Sequence, residues 1–190
     1  MKKFYLLFLF SIVCATASAQ LVINEYMPFP TSTGVTDPNE LDSNKDGTLG
    51  GFSDEYIELV NSGGTDLDIS GWKLDDGTDT VDPRHVFPSN TILPPGGAII
   101  VFGGGTNLLS TDFGNSIVQE SSGSTSLGLS NSGGGDTFNI YNAADVLQLT
   151  ETYVSPNPGI SFSRSPDISG AFIAHPANST LSADGGGDAF

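Results

Sequence analysis

DSNKDGTLGGFSDEYIELVN, residues 42–61, begins like a cation-binding loop and ends like a β-strand. In its second half, Ile57 and Leu59 share one face while Tyr56, Glu58 and Val60 share the other, as a strand with one core face requires. In its first half, Asp42, Asn44 and Asp46 followed by Gly47 fit the pattern D-x-D/N-x-D/N-G. Alternate oxygen donors in that pattern wrap one cation, and the glycine permits the sharp turn. The stretch therefore predicts an acidic excursion that feeds directly into sheet.

The rest of the chain supplies that sheet. Short candidate strands lie at 21–27, 55–61, 72–74, 85–87, 98–102, 137–141, 147–154, 160–164 and 171–174, with turn residues between them. AIIVF (98–102) is apolar on both faces and is expected to be central or covered. DDG at 75–77 and LPPGG at 93–97 read as tight bends, NAAD at 142–145 as a hairpin connection, and the glycine- and serine-rich stretches 121–126 and 131–135 as surface loops. No long 3.6-residue period and no repeat of solenoid length is present, so an all-β fold in one domain is expected.

The first twenty residues, MKKFYLLFLFSIVCATASAQ, carry two lysines, an apolar run too short to span a bilayer and small residues at Ala17 and Ala19. They read as a signal peptide over 1–19, leaving a domain over 20–190 that is secreted or held at the cell surface without membrane insertion. Cys14 falls in that leader, so no disulfide is expected in what remains. Lys45, Lys73, Arg84 and Arg164 are then the only Lys or Arg side chains against 22 carboxylates, in a chain whose formal charge is −16. Such a balance repels phosphate backbones and anionic lipid and argues against a nucleic-acid partner. Bound cations would relieve part of its self-repulsion.

A calcium ion takes about 6 to 8 oxygens, and short acidic side chains two residues apart can converge on one. The expected ligands are the side chains of Asp42, Asn44, Asp46 and Asp54 and the Thr48 carbonyl, with Asp37 or Glu55 as a possible extra. An EF-hand would place Glu at the twelfth position, which here is Ser53, and no helices flank the loop. It is thus an EF-like loop inserted between strands, to be weighed against a plain solvated turn, since Asp, Asn and Gly also favour turns without metal.

VINEY, DSNKDGTLGGFSDEYIELVN, LDISGWKLDDG, FPSNTILPPGGAIIVF and SFSRSPDISGAFIAH, in that order, resemble a lamin tail domain protein of the secreted bacterial kind. The resemblance implies an immunoglobulin-like β-sandwich that binds or scaffolds, with an aspartate-rich insertion just before the DEYIEL strand. Within it, Trp72 is expected to plug the core.

Enzymatic signatures are sparse. His85 and His175 lack ligand spacing, and no G-x-S-x-G elbow is present. Glu25, Glu55 and Glu58 could meet across adjacent strands as acid and base. Arg84 and Arg164 are expected to pair with carboxylates, and Asn178 in NST is a glycosylation acceptor where the host modifies such sites. The leading expectation is a secreted, non-catalytic, calcium-binding module whose partner is an extracellular protein or glycan. A carbohydrate-binding module using Tyr26, Phe52 and Tyr56 and a calcium-assisted hydrolase are the rivals.

Overall fold

A computed structural model describes residues 20–30, 42–48, 51–77, 83–122, 126–131, 134–154 and 158–174. The leader, Asp37, His175, Asn178 and the final SADGGGDAF lie outside the described residues. The larger sheet holds β1 (Leu21–Met27), β2 (Tyr56–Asn61), β7 (Ala98–Phe102), β8 (Ile117–Glu120), β11 (Phe162–Ser165) and β12 (Ala171–Ala174), ordered β12-β11-β1-β2-β7-β8. The second holds β4 (Lys73–Asp75), β5 (His85–Val86), β9 (Asp136–Tyr141) and β10 (Leu147–Tyr153), ordered β10-β9-β4-β5. A two-stranded ribbon of β3 (Leu67–Asp68) and β6 (Ile92–Leu93) completes the set. Every pairing is antiparallel except β7 with β8.

Side chains of both large sheets fill one core. Leu21, Ile23, Tyr26, Ile57, Leu59, Ile99 and Val101 from the six-stranded sheet belong to the same buried cluster as Leu74, Phe138, Ile140 and Tyr153 from the four-stranded one. That is the two-layer arrangement in which each sheet hides one apolar face. The expectation of a single core face on β2 needs correction, because all six of its residues are buried. Tyr56 lies in a second cluster with Met27, Ile100, Phe102 and Phe113, where a 3₁₀ turn at Ser110–Phe113 covers the opposite face of the sheet.

β1 carries a bulge between Ile23 and Glu25. Strict alternation would put Glu25 on the face of Leu21 and Ile23; the extra residue shifts the parity, so Tyr26 enters the core cluster instead. The turns fall where expected. At the NAAD hairpin the Asn142 side-chain oxygen accepts the N–H groups of Ala144 and Val146 at 2.9 and 3.0 Å. In LPPGG, Gly97 N–H donates to the Pro94 carbonyl at 2.8 Å just before β7.

Candidate metal centre

The acidic loop curls around its own side chains. Asp42 accepts the N–H of Asp46 on Oδ1 at 2.9 Å and that of Gly47 on Oδ2 at 2.7 Å. Asn44 Oδ1 also accepts from Asp46 N–H, at 3.0 Å, and Asp46 Oδ1 accepts from Thr48 N–H at 2.7 Å. Gly47 sits at φ +88, a conformation that costs glycine nothing and lets the chain turn back. Lys45, between the donor positions Asn44 and Asp46, points outward: it is exposed, its Nζ donates to the Asp112 carbonyl at 2.8 Å, and it lies 5.1 Å from the Phe113 ring centre.

Beneath the loop, a 3₁₀ turn at Phe52–Asp54 sets Asp54 with no exposed surface. Its Oδ1 accepts from Asn44 N–H at 3.3 Å and Ser43 Oγ at 3.4 Å, while Oδ2 has no hydrogen-bond partner among the described residues. Burial, reinforced by the negative charges of Asp42 and Asp46, pushes its carboxyl up to about 7. A buried carboxylate oxygen without a donor is costly, and here it faces other acids.

Two further segments clamp the loop, one at Ser53 and one from sixty residues away at Gly104 and Thr106. Asn44 Nδ2 donates to the carbonyls of Ser53 at 3.3 Å and Gly104 at 3.1 Å, and Thr106 N–H donates to Asp46 Oδ2 at 3.2 Å. No local signal in the sequence marks Gly104 or Thr106, because both act through the backbone. Asp42, Asn44, Asp46 and Asp54 are therefore gathered in one place, and Thr48 closes the loop through its N–H. Among the described residues no group of three or more Asp, Glu, His or Cys side chains is arranged so that it could hold a metal ion. Each carboxylate oxygen that accepts one N–H still keeps a second lone pair.

Glu55, the possible extra ligand, is engaged elsewhere. Its Oε2 accepts from Leu127 N–H at 3.0 Å, and the amides of Gly128 and Leu129 also face it. It fastens the 127–129 segment to the sheet, and burial raises its carboxyl to about 8. Glu55 stands two residues before Ile57 and reaches the same side of the sheet, where Leu127 and Leu129 join the core cluster of Ile57 and Leu59.

Glu25 and Glu58 do meet, as register partners across β1 and β2, both fully buried. Asn24 Nδ2 donates to Glu58 Oε1 at 2.6 Å, and the Tyr56 hydroxyl donates to Glu25 Oε1. Sealed from solvent and engaged by neighbours, the pair is built as part of the sheet, with no room for a substrate.

The aromatic row for a glycan does not form: Tyr26 and Tyr56 are each 2 % exposed, in different clusters, and only Phe52 is open at 61 %. Trp72 is half-buried at the margin of the core, and the plug is made instead by Tyr26, Phe87 and Phe138. Arg84 pairs with Asp76 as expected. Arg164 lies close enough to Glu151 for its charge to favour that carboxylate, while its Nε and Nη1 donate to the carbonyls of Ile23 at 2.6 Å and Gly170 at 2.7 Å, and it stacks 4.3 Å from the Phe172 ring centre. His85 is buried, with its pKa lowered by that burial, and its Nε2 lies 2.8 Å from Gln119 Oε1.

The family model for the lamin tail domain matches residues 15–155, more than half of the chain. The chain belongs to the lamin tail domain family. For this lamin tail domain the two-sheet architecture above is thus the family's immunoglobulin-like sandwich, and a non-catalytic interaction or structural module is the role the family suggests. A search of curated proteins found no match. In this lamin tail domain the sandwich runs past the matched region, since β11 and β12 extend the larger sheet beside β1.

Proposed function

We propose that this lamin tail domain is a secreted, non-catalytic interaction or structural module that binds calcium in its β1–β2 connection. The observation that carries the reading is Asp54: buried, with one carboxylate oxygen lacking a donor among the described residues, and repelled by the Asp42 and Asp46 carboxylates above it. A divalent cation held by Asp42, Asn44, Asp46 and Asp54 would give that oxygen a partner and turn the repulsion into attraction. The same ion would stiffen the contacts to Gly104 and Thr106 and so fix one end of the sandwich as a surface for a partner. Secretion rests on the leader expected over 1–19.

Calcium stabilises by mass action, because the unfolded chain has no assembled site. At about 100 times Kd the gain is about 2.7 kcal/mol, and extracellular modules bind at about 10⁻⁴ to 10⁻³ M. Tm should therefore rise by about 5 to 10 °C between EDTA and saturating calcium.

A pH dependence accompanies this. The Asp54 and Glu55 carboxyls rise from ordinary values of 3.8 and 4.5 to about 7 and about 8 in the folded chain. Between those limits the folded state holds protons that the unfolded state has released, so stability is greatest at low pH and falls as pH rises through the window. In EDTA, Tm is expected to drop from pH 5 to pH 8. Calcium should restore it at pH 8 and do little at pH 5, where Asp54 carries a proton. Differential scanning calorimetry of the wild type and of Asp54→Asn, with metal analysis of the purified protein, tests this. A Tm indifferent to calcium at pH 8, with no bound metal, would remove calcium from the reading.

A further inference from the structure

A cleft opens at the end of β1 and β2 opposite the acidic loop, where Leu21 pairs with Asn61. One part, of about 240 Å³, is walled by Trp72 and Gln148. The other, of about 420 Å³, is walled by Thr150, Ile168 and Ser169. Gln20 and Leu149 line both parts, so the two adjoin. Together they reach the size of a small-ligand site, roughly 300 to 1,000 Å³.

The chemistry of the walls is unlike the rest of the molecule. The chain has 22 Asp and Glu side chains, yet among the described residues none of them lines either part. Polar groups there are amides and hydroxyls, and Gln20, Gln148, Thr150 and Ser169 are all exposed. Arg164 is the one charged side chain on the described walls, and two of its nitrogens already donate to the carbonyls of Ile23 and Gly170. Trp72 is half-buried, so its ring anchors one edge in the core and offers the remainder to the cleft beside Leu149.

A second feature marks the same place. Ile168 sits at φ +63, a conformation that β-branched residues rarely adopt. Its N–H donates to Asn24 Oδ1 at 2.9 Å, which ties the 166–170 turn to the bulge of β1. The fold therefore holds Ile168 and Ser169 on the cleft wall against a local preference, and such backbone outliers concentrate where ligands are clamped.

We propose that this cleft binds a neutral glycan. A pyranose has an apolar C–H face for the Trp72 ring and Leu149, and a rim of hydroxyls that both donate and accept, as the side chains of Gln20, Gln148, Thr150 and Ser169 do. A cationic ligand finds no carboxylate on the described walls, and an anionic one approaches a chain of formal charge −16. The site lies at the far end of β1 and β2 from the acidic loop, so it goes beyond the calcium reading and works without the metal.

Trp72 is the chain's only tryptophan, so its fluorescence reports from the cleft alone. The full chain is titrated with cellohexaose, maltohexaose, laminarihexaose and chitohexaose to about 10 mM, and with hexagalacturonate as the acidic probe. At least one neutral sugar is expected to change the emission saturably, equally in EDTA and in calcium, and to bind about ten-fold or more tightly than the acidic one. Gln148→Ala, on the exposed face of an edge strand, should weaken that sugar about two- to ten-fold with Tm unchanged. Trp72→Ala, followed by calorimetry, should abolish binding. Emission indifferent to all four neutral sugars, hexagalacturonate bound as tightly as they are, or Gln148→Ala binding like the wild type would each overturn the proposal. So would binding lost in EDTA, which would place the sugar at the acidic loop. A chain whose Tm ignores calcium but whose emission still responds to the sugar would remove calcium alone and leave the cleft as assigned.

Discussion

Leu59→Ala is expected to lower the unfolding free energy by about 2 to 5 kcal/mol, a large share of the roughly 5 to 15 kcal/mol of an ordinary domain. Leu59 is completely buried in the cluster shared by the two sheets, on one of the two central strands of the larger one. Truncation removes the transfer free energy of the missing carbons and opens a cavity between layers that pack at crystal-like density, where neighbours relax only in part. Leu147→Ala serves as the reference: that side chain is 49 % exposed on the edge strand β10 and should change stability by no more than about 0.5 kcal/mol. Urea titration of both variants measures the difference. Equal midpoints for the two would show that residues 56–61 do not form the centre of the sandwich.

The second large effect is Gly103→Ala, which acts through backbone. Gly103 follows β7; its N–H donates to the Glu55 carbonyl at 2.8 Å and its carbonyl accepts from Ser121 Oγ at 2.6 Å. A Cβ there would overlap the Phe52 carbonyl and come 3.2 Å from Ser126 Cα. Both obstacles are main chain, so relief requires moving the 52–54 turn that carries Asp54. The expected cost is about 3 kcal/mol, typical of overpacking against atoms that cannot rotate away, together with loss of the calcium-dependent rise in Tm. Gly134→Ala is the control, since no atom lies within 4 Å of its added Cβ. A Gly103→Ala protein that melts like the wild type and still responds to calcium would uncouple the turn from the metal loop.

The two substitutions also separate fold from site. Leu59 is far from the loop's hydrogen bonds, so a milder substitution such as Leu59→Val should lower Tm while leaving the difference between calcium and EDTA intact. Gly103 changes both, because one peptide plane, at Phe52, belongs at once to the packing of β7 and to the placement of Asp54.

Much of the architecture was legible residue by residue. The spans 21–27, 98–102 and 171–174 match β1, β7 and β12, and the other expected strands fall within a few residues of observed ones. Three strands escaped. β3 and β6 are two residues each and exist only by pairing with one another, too short for a period to show. β8 has only two apolar residues, Ile117 and Val118, before its polar end, and becomes a strand because β7 offers it a parallel edge. In the candidate site the alternation of Asp42, Asn44 and Asp46 told where the loop would turn. Glu55 looked like part of it by proximity in sequence and proved to be bound to the 127–129 segment.

The sequence by itself determined what local chemistry dictates: the period of two along Tyr56 to Asn61, the bends at LPPGG and NAAD, and the curl of the acidic loop around its own N–H groups. Only the tertiary structure decided which distant backbone completes each of these. Gly104 and Thr106 close the loop, a bulge at Asn24 turns Tyr26 inward, and Glu25 meets Glu58 across two strands. The physical reason is that a side chain's type constrains its own φ, ψ and preferred face. The partner of a buried polar group is fixed instead by which segments the packed sheets bring within about 3 Å, and any residue's backbone can fill that role.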